Sequence, residues 1–294
     1  MNFGCLKETP SIRNYDYDIV CGASKIEIPT EYILPDDRLP KVRNQGSVGA
    51  CVAFACVEIL EVFNRMELNS DKTFSAGFFY GYNRPDWSNG WGMIPSSALN
   101  YFMETGSVPT SMFDELKEMP EMKKLVQGRK DLAEIAKKYR IKGYSSITSP
   151  NVIANRDKVR KALLQCQYPL LAISNKYFGE SHAIILIGWN EEGWIIQNSW
   201  GEAWGNKGRK TVPYTSNGIN YIYVLHDEVF EMKFKDVSKD AWYYNPIKEA
   251  VFTGIMNGKS EEIFDPDSPP TRAEMAQFGV NLMKKINEIL ETQK

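Results

Sequence analysis

Histidine is nearly absent from the 294 residues: only His182 and His226 occur, so the position of each carries information. Long apolar runs are missing too. The strongest, such as residues 183–189, fall far short of the roughly 18 residues that span a bilayer, which excludes a transmembrane helix. Neither sign of charge dominates: 35 Lys and Arg face 37 Asp and Glu, for a net charge of -2. No global field then draws in phosphate backbones or anionic lipid, and nucleic-acid binding is not expected. The five cysteines, Cys5, Cys21, Cys51, Cys56 and Cys166, include no CxxC pair and are odd in number, which fits a reducing compartment better than a disulfide framework. The opening residues MNFGCLKETPSIRNYDYD lack the basic start, apolar run and small-residue cleavage site of a secretory signal. The expectation is a cytoplasmic address as written.

What is present is ordinary globular composition, 43% hydrophobic and 24% charged, in a chain long enough for a catalytic domain and a smaller appendage. Residues 1–29 are polar, rich in Tyr and Asp and punctuated by Pro10 and Pro29, and read as an extended lead-in. The string ACVAFACVEILEVFNR, residues 50–65, has a broad apolar face with charges only toward its end, as a buried central helix would. A Gly-rich loop at 88–95 precedes a helical pattern at 96–104 that stops at Gly106. Residues 131–139 form a short helix with solvated lysines, 141–148 a strand and 156–165 a helix; PLLAIS, HAIILIGW and GWIIQNSW are β-rich runs between turn residues. A helical first half and a β-rich second half predict an α+β enzyme with its active site between two subdomains. Composition shifts again after Val229, where two helical patterns flank a Gly/Asp/Pro loop. The expected units are 1–29, 30–230 and 231–294.

A thiol attacks a carbonyl carbon efficiently only as thiolate, and a helix N-terminus or an adjacent imidazolium favours that form. Cys51 stands at the predicted start of the central helix, just after the turn-forming residues 44–49. A buried, inert thiol is the alternative on residue type alone, and it is the reading for Cys56, five positions on in an apolar pattern. Context favours a nucleophile at Cys51. QGSVGACVAFA, residues 45–55, resembles the segment around the nucleophile of papain-family cysteine peptidases, in which His and Asn follow about 130–150 residues later. Here His182 lies 131 residues on (182 − 51) and Asn198 147 (198 − 51). HAIILIGW resembles the strand that carries the family's general base, and NSWG followed by WGNKG resembles the segment that orients it.

The resemblance implies Cys51 as nucleophile, His182 as its base, Asn198 as acceptor for one imidazole nitrogen and Trp200 as a shield for that bond. Gln45, six residues before the nucleophile, would join the Cys51 backbone N–H as the oxyanion hole. The implied chemistry is acyl transfer on a protein or peptide substrate through a thioester, with no metal and no organic cofactor. Asn89, Gly90 and Gly92 resemble the loop that pairs with substrate backbone, although Trp91 interrupts it. Val48 stands where relatives often have a disulfide-forming Cys, Val52 replaces an aromatic residue, and Ser181 precedes the histidine where an acidic residue or Gly is common. No large helical prodomain precedes the motif; autoinhibition by the extended lead-in, with Cys5 near the cleft, is the corresponding expectation.

From Phe234 the chain reads FKDVSKDAWYYNPIKEAVFTGIMNGKSEEIFDPDSPPTRAEMAQF and resembles one S-layer-homology (SLH) repeat, on Asp236, Trp242, Tyr243, Ile247, Ala250, Gly254, Gly258, Phe264, Pro266 and the TRAE at 271–274. The resemblance implies binding of secondary cell-wall polysaccharide, with Arg272 offering its planar fork to acidic sugars. Because such repeats usually act in threes, it also implies a homotrimer of single copies, weak binding, or a structural role. The plain alternative is a helical pair packed on the enzyme, with Trp242 and Tyr243 in its core. Two other function classes stand beside the peptidase: an inactive peptidase fold that positions the repeat on a wall polymer, and another Cys/His acyl transferase such as a cell-wall amidase or transglutaminase-like enzyme. A scaffold has no physical need of Gln45, Cys51, His182 and Asn198 together, and Gln45 with NSWG favours the peptidase over the transferase.

Overall fold

The structure, a computed structural model, describes residues 5, 6, 17, 26–82, 92–117, 119–227, 232, 234–260 and 262–291. Its first half is organised by helix α1 (Cys51–Leu68), which is buried from Cys51 through Asn64 and closed by Asn69 in the left-handed region, φ 47°. A helix that is apolar on nearly every side is stable only when enclosed. The two carboxylates toward its end, Glu58 and Glu61, are buried within it. Glu61 accepts the Phe74 N–H at 2.9 Å and lies 3.3 Å from Arg43 Nη1. Burial, and then the neighbouring Glu61, push Glu58 up to about 8, so it is a neutral acid at neutral pH.

Helices α2 (Ala76–Tyr82), α3 (Pro95–Glu104), α4 (Met119–Gln127) and α5 (Leu132–Ala136) complete this half. Pro95 suits the first turn of α3, where its missing N–H costs nothing. Gly106 follows α3 with φ 68°, and a Cβ there would meet the Ala136 carbonyl at 2.3 Å, so the chain stops where only glycine fits. Helix α2, AGFFYGY, escaped the sequence reading because it is short and buried on all sides, and so carries no period.

The second half is an antiparallel sheet of β2 (Gly143–Thr148), β7 (Tyr221–His226), β3 (Leu170–Ser174), β4 (His182–Trp189), β5 (Gly193–Gln197) and β6 (Arg209–Pro213), adjacent in that order. Strand β1 (Tyr32–Ile33) pairs with the far end of β4 through Tyr32 and Trp189. Strand β4 is buried along its whole length, which explains why HAIILIGW reads as a continuous apolar run. Helix α6 (Ile153–Cys166) packs on β2 and β4, and α1 packs on β4. The fold is therefore the expected α+β type, and the seam between α1 and β4 joins its two halves.

Helices α7 (Tyr244–Phe252) and α8 (Arg272–Glu291) form the C-terminal module. Asp236 holds their connection by accepting from the Phe264 N–H at 3.0 Å and the Asp265 N–H at 2.6 Å. Thr271 and Glu274 close the N-terminus of α8 reciprocally: the Thr271 N–H donates to Glu274 at 2.6 Å and the Glu274 N–H to Thr271 Oγ1 at 3.2 Å. A Cβ on Gly258 would meet the Phe234 ring at 2.3 Å. Trp242 is 86% exposed, which overturns the alternative that places it in a core. No helix among the described residues is long and apolar enough to cross a membrane.

Candidate active site

Cys51 is the first residue of α1, where backbone N–H groups of the opening turn have no partner within the helix and favour negative charge. Its Sγ accepts the Ala183 N–H at 3.4 Å, which ties the thiol to the start of β4. His182 opens that strand. The His182 Nε2 lies 2.8 Å from Asn198 Oδ1, and Asn198, just past β5, is anchored by its N–H to the Gly208 carbonyl at 2.9 Å. The Ser199 N–H also donates to Asn198 Oδ1, at 2.8 Å. A peptide N–H can only donate, so the atom it meets must be the amide oxygen. His182 Nε2 then carries the hydrogen, and Nδ1 is the basic nitrogen.

Trp200 covers the imidazole with centroids 4.6 Å apart and planes 30° off parallel, while Phe178 meets it edge-on at 5.1 Å. Trp204 in turn packs edge-on against Trp200 at 5.6 Å. The aromatic shield is thus three residues, of which only Trp200 was expected. Burial, outweighing the Asn198 bond, pushes His182 down to about 4, so the imidazole is neutral in this conformation.

Gln45 reaches the same seam from the residues before α1. Its Nε2 donates to the Val48 carbonyl at 2.9 Å, its Oε1 accepts the Ser199 hydroxyl at 2.6 Å, and its N–H donates to the Ser199 carbonyl at 2.8 Å. An amide carries two N–H bonds, and the Val48 carbonyl takes one of them. Arg43 steadies this segment. Its guanidinium donates to the Phe74 carbonyl at 2.9 Å and pairs with Glu61, while its carbonyl accepts the Gly201 N–H at 2.9 Å. Arg43, Glu61 and Ser199 escaped the sequence reading; two acids inside an otherwise apolar helix were the available signal, since a buried carboxylate demands a cation or a proton.

Of the three loop residues expected to pair with substrate, Asn89 and Gly90 lie outside the described residues. Gly92 is buried with φ 103°. The next residue, Met93, forms a parallel bridge with Cys5, and its carbonyl accepts the Leu6 N–H at 2.9 Å. Cys5 Sγ sits 3.6 Å from the hydroxyl of Ser181, the neighbour of His182. Two lead-in residues thus lie between the loop edge and the base. Cys51, His182 and Asn198 are all 0% exposed and Gln45 1%. Cys56 is equally buried and its thiol is pushed well above the ordinary value by burial, as befits an inert residue. The described cysteines form no disulfide. Arg272 lies exposed on the first turn of α8, remote in sequence from this apparatus.

A thiol at a helix N-terminus, a tautomer-fixed imidazole on an apposed strand and a lateral amide thus meet where the helical half joins the sheet. The chain belongs to the papain family of cysteine proteases, whose family model matches residues 34–224. An S-layer homology domain model matches residues 233–276. Cysteine proteinase 1 of Entamoeba histolytica is 25% identical over 194 residues, covering 58% of this chain and 59% of that protein. The chain spans about three-fifths of the length of the first curated relatives it matches. The Surface-layer 125 kDa protein of Lysinibacillus sphaericus is 43% identical over 51 residues, 17% of this chain and 4% of that protein. Among solved structures, xylellain, a cysteine protease from Xylella fastidiosa, superposes with a TM-score of 0.60 at 18% identity, covering 77% of this chain and 96% of that one. At that identity the likeness concerns the fold.

Proposed function

We propose that the chain is a papain-like cysteine endopeptidase acting on protein or peptide substrates. The observation that carries this is the convergence, at one seam, of Cys51 on the first turn of α1, the 2.8 Å His182–Asn198 pair at the head of β4, and the Gln45 amide. Cys51 attacks the scissile carbonyl carbon; the S–C bond forms and the carbonyl oxygen takes the electron pair, facing the Cys51 N–H and the second Gln45 N–H. His182, having taken the thiol proton on Nδ1, passes it to the leaving amine as the C–N bond breaks. The amine departs and water, losing a proton to His182, hydrolyses the thioester and restores the thiol. Trp200, Phe178 and Trp204 keep bulk water from the Nε2–Asn198 bond, which would otherwise compete for the ring.

The conformation described here is, in this reading, a closed one. Cys5 and Leu6 occupy the Met93 edge that a substrate strand would use, beside the residue that precedes His182. The module supplies a second property: attachment to a cell-wall polymer, with Arg272 as the anion-recognising group, and association of three copies through α8. Exposed Met275, Val280, Met283 and Leu290 on α8 and exposed Trp242 support association, since apolar side chains at such helical spacing form a face that gains by being covered.

The peptidase reading is tested with a mixed fluorogenic peptide library under reducing conditions, comparing the chain with Cys51→Ala and with Cys5→Asp. Cleavage that vanishes in Cys51→Ala supports it. Silence from both the wild type and Cys5→Asp, together with no iodoacetamide labelling of Cys51, would leave the scaffold as the better account.

A further inference from the structure

Helix α6 opens against the usual pattern of a helix start. Val152, just before it, makes no side-chain cap bond, the first turn holds no acidic residue, and Val152 and Ile153 are 57% and 69% exposed. Arg156 follows one turn on, its N–H bonded to the Val152 carbonyl at 2.8 Å, and Arg160 a turn further, so 152, 156 and 160 share one face. Both guanidiniums lie against the Tyr214 ring, Arg156 at 4.7 Å and Arg160 at 5.7 Å from its centroid. That ring is itself fixed, with its hydroxyl on the Asn190 carbonyl at 3.0 Å and Trp194 edge-on at 4.9 Å. The two arginines differ in what else holds them. Arg160 also lies 5.7 Å from the Trp189 ring, donates to the Tyr214 hydroxyl at 3.1 Å and pairs with Asp157 at 3.5 Å. For Arg156 the described residues offer the Tyr214 ring alone. Asp157 is, among the described residues, the one carboxylate within ion-pair reach of either guanidinium, so the pair carries surplus positive charge. Each Nε is buried without a hydrogen-bond partner, and a partly desolvated cation gains more from an anion than one in bulk water.

We propose that Val152, Ile153 and Arg156, with Tyr214 behind them, form a docking surface for an acidic peptide segment of a partner protein, one that carries apolar side chains beside its carboxylates. Charge selects the sign of the occupant, and the exposed apolar pair selects its class. A sugar chain or a free phosphate would satisfy Arg156 but leave Val152 and Ile153 uncovered. The Nη end of Arg156 takes a carboxylate in two parallel hydrogen bonds, while stacking on Tyr214 fixes the plane of the fork. Covering the apolar pair supplies the rest. Two cations near the positive end of an uncapped helix cost stability, and a local rule broken in this way marks a surface kept for another purpose. The surface is also remote from the thiol. It flanks Trp189, the last residue of the eight-residue strand that His182 opens, and at about 3.3 Å per residue the strand sets them roughly 23 Å apart.

The test uses the full chain carrying Cys51→Ala, so that no probe is cleaved and the result stands apart from the peptidase reading. The probe is a fluorescein-labelled peptide, Gly-Leu-Glu-Glu-Leu-Gly, followed by anisotropy at low salt. Binding is expected to saturate below about 1 mM. Arg156→Gln weakens it about tenfold, and exchanging both Glu of the probe for Gln does the same. Val152→Asp is the decisive variant. It supplies the missing cap and an acidic group at the start of α6, so the melting temperature holds or rises, yet it sets a carboxylate against the probe and weakens binding at least about tenfold. Loss of binding in a protein that is no less stable is not unfolding. Absence of saturation below about 1 mM, equal affinity for the Gln peptide, or unchanged binding in Val152→Asp overturns the proposal. Displacement of the probe by oligogalacturonate at lower concentration than by the unlabelled peptide also overturns it, in favour of an acidic polysaccharide.

Discussion

Opening the cleft by a change at Cys5 is the perturbation whose size the structure allows to be worked out. Two described contacts hold the lead-in at the site: the Leu6 N–H to the Met93 carbonyl at 2.9 Å, and the burial of the Cys5 side chain, 6% exposed, beside Ser181. A hydrogen bond of that kind is worth about 1 kcal/mol net. Burial of a small apolar side chain adds about 1–2 kcal/mol. Together they favour the closed form by about 2–3 kcal/mol, or roughly 30- to 150-fold, since each 1.4 kcal/mol is a factor of ten.

Cys5→Asp replaces that burial with the desolvation of a carboxylate, a cost of several kcal/mol that falls on the closed form alone. The expected result is a rise of roughly 30- to 150-fold in cleavage of the peptide library, matched by faster iodoacetamide labelling of Cys51 read by peptide mass mapping. Leu6→Pro removes only the donor and should give about a five- to tenfold rise. Equal labelling rates in wild type and Cys5→Asp would refute the closed-cleft reasoning, because a thiol already open has nothing to gain.

Two further outcomes are expected. His226 is bonded to the Ser145 hydroxyl at 2.9 Å and burial pushes it down to about 3, below its ordinary 6.5; the unfolded chain therefore binds the extra proton first, and the stability tied to the neutral ring is fully present above pH 6.5 and fades as pH falls toward 3. The melting temperature of His226→Asn should accordingly depend less on pH than that of the wild type between pH 6.5 and 3, and identical slopes would count against it. At the module, Met283→Glu should reduce the sedimenting mass to that of a monomer and, with avidity lost, weaken retention on wall polysaccharide, whereas Arg272→Ala should weaken retention about tenfold without changing the mass. A wild type that is already monomeric would remove the trimer.

Much of the site was legible because its parts lie in short local strings. The start of a buried helix can be read from QGSVGACVAFA, and a fully buried strand opening on a rare histidine from HAIILIGW. The α+β class followed from the same two periodicities. What could not be read is pairing across the seam. Ser199 stands inside the NSWG string that yielded Asn198 and Trp200, but its hydroxyl acquires meaning only opposite Gln45, 154 positions away. For Cys5 a place near the cleft was expected, but its partners Met93 and Ser181 were not legible. The aromatic partners Phe178 and Trp204 look like ordinary core until Phe178 is seen edge-on to the His182 ring and Trp204 against Trp200. Glu58 was readable in part: a carboxylate in an apolar helix has to be neutral or paired, and it is neutral while Glu61 is paired.

Backbone and side chains divide the work of holding this seam. Main-chain bonds set the distances: the Gln45 N–H to the Ser199 carbonyl and the Gly201 N–H to the Arg43 carbonyl both cross between the halves. Side-chain bonds hold single groups instead: the Ser199 hydroxyl holds Gln45 Oε1, and Asn198 Oδ1 holds His182 Nε2. A side-chain substitution there should disturb one group without opening the seam. A substitution that removes a crossing N–H, such as proline at Gln45 or Gly201, releases the halves from one another, and then binding, labelling and stability should fail together.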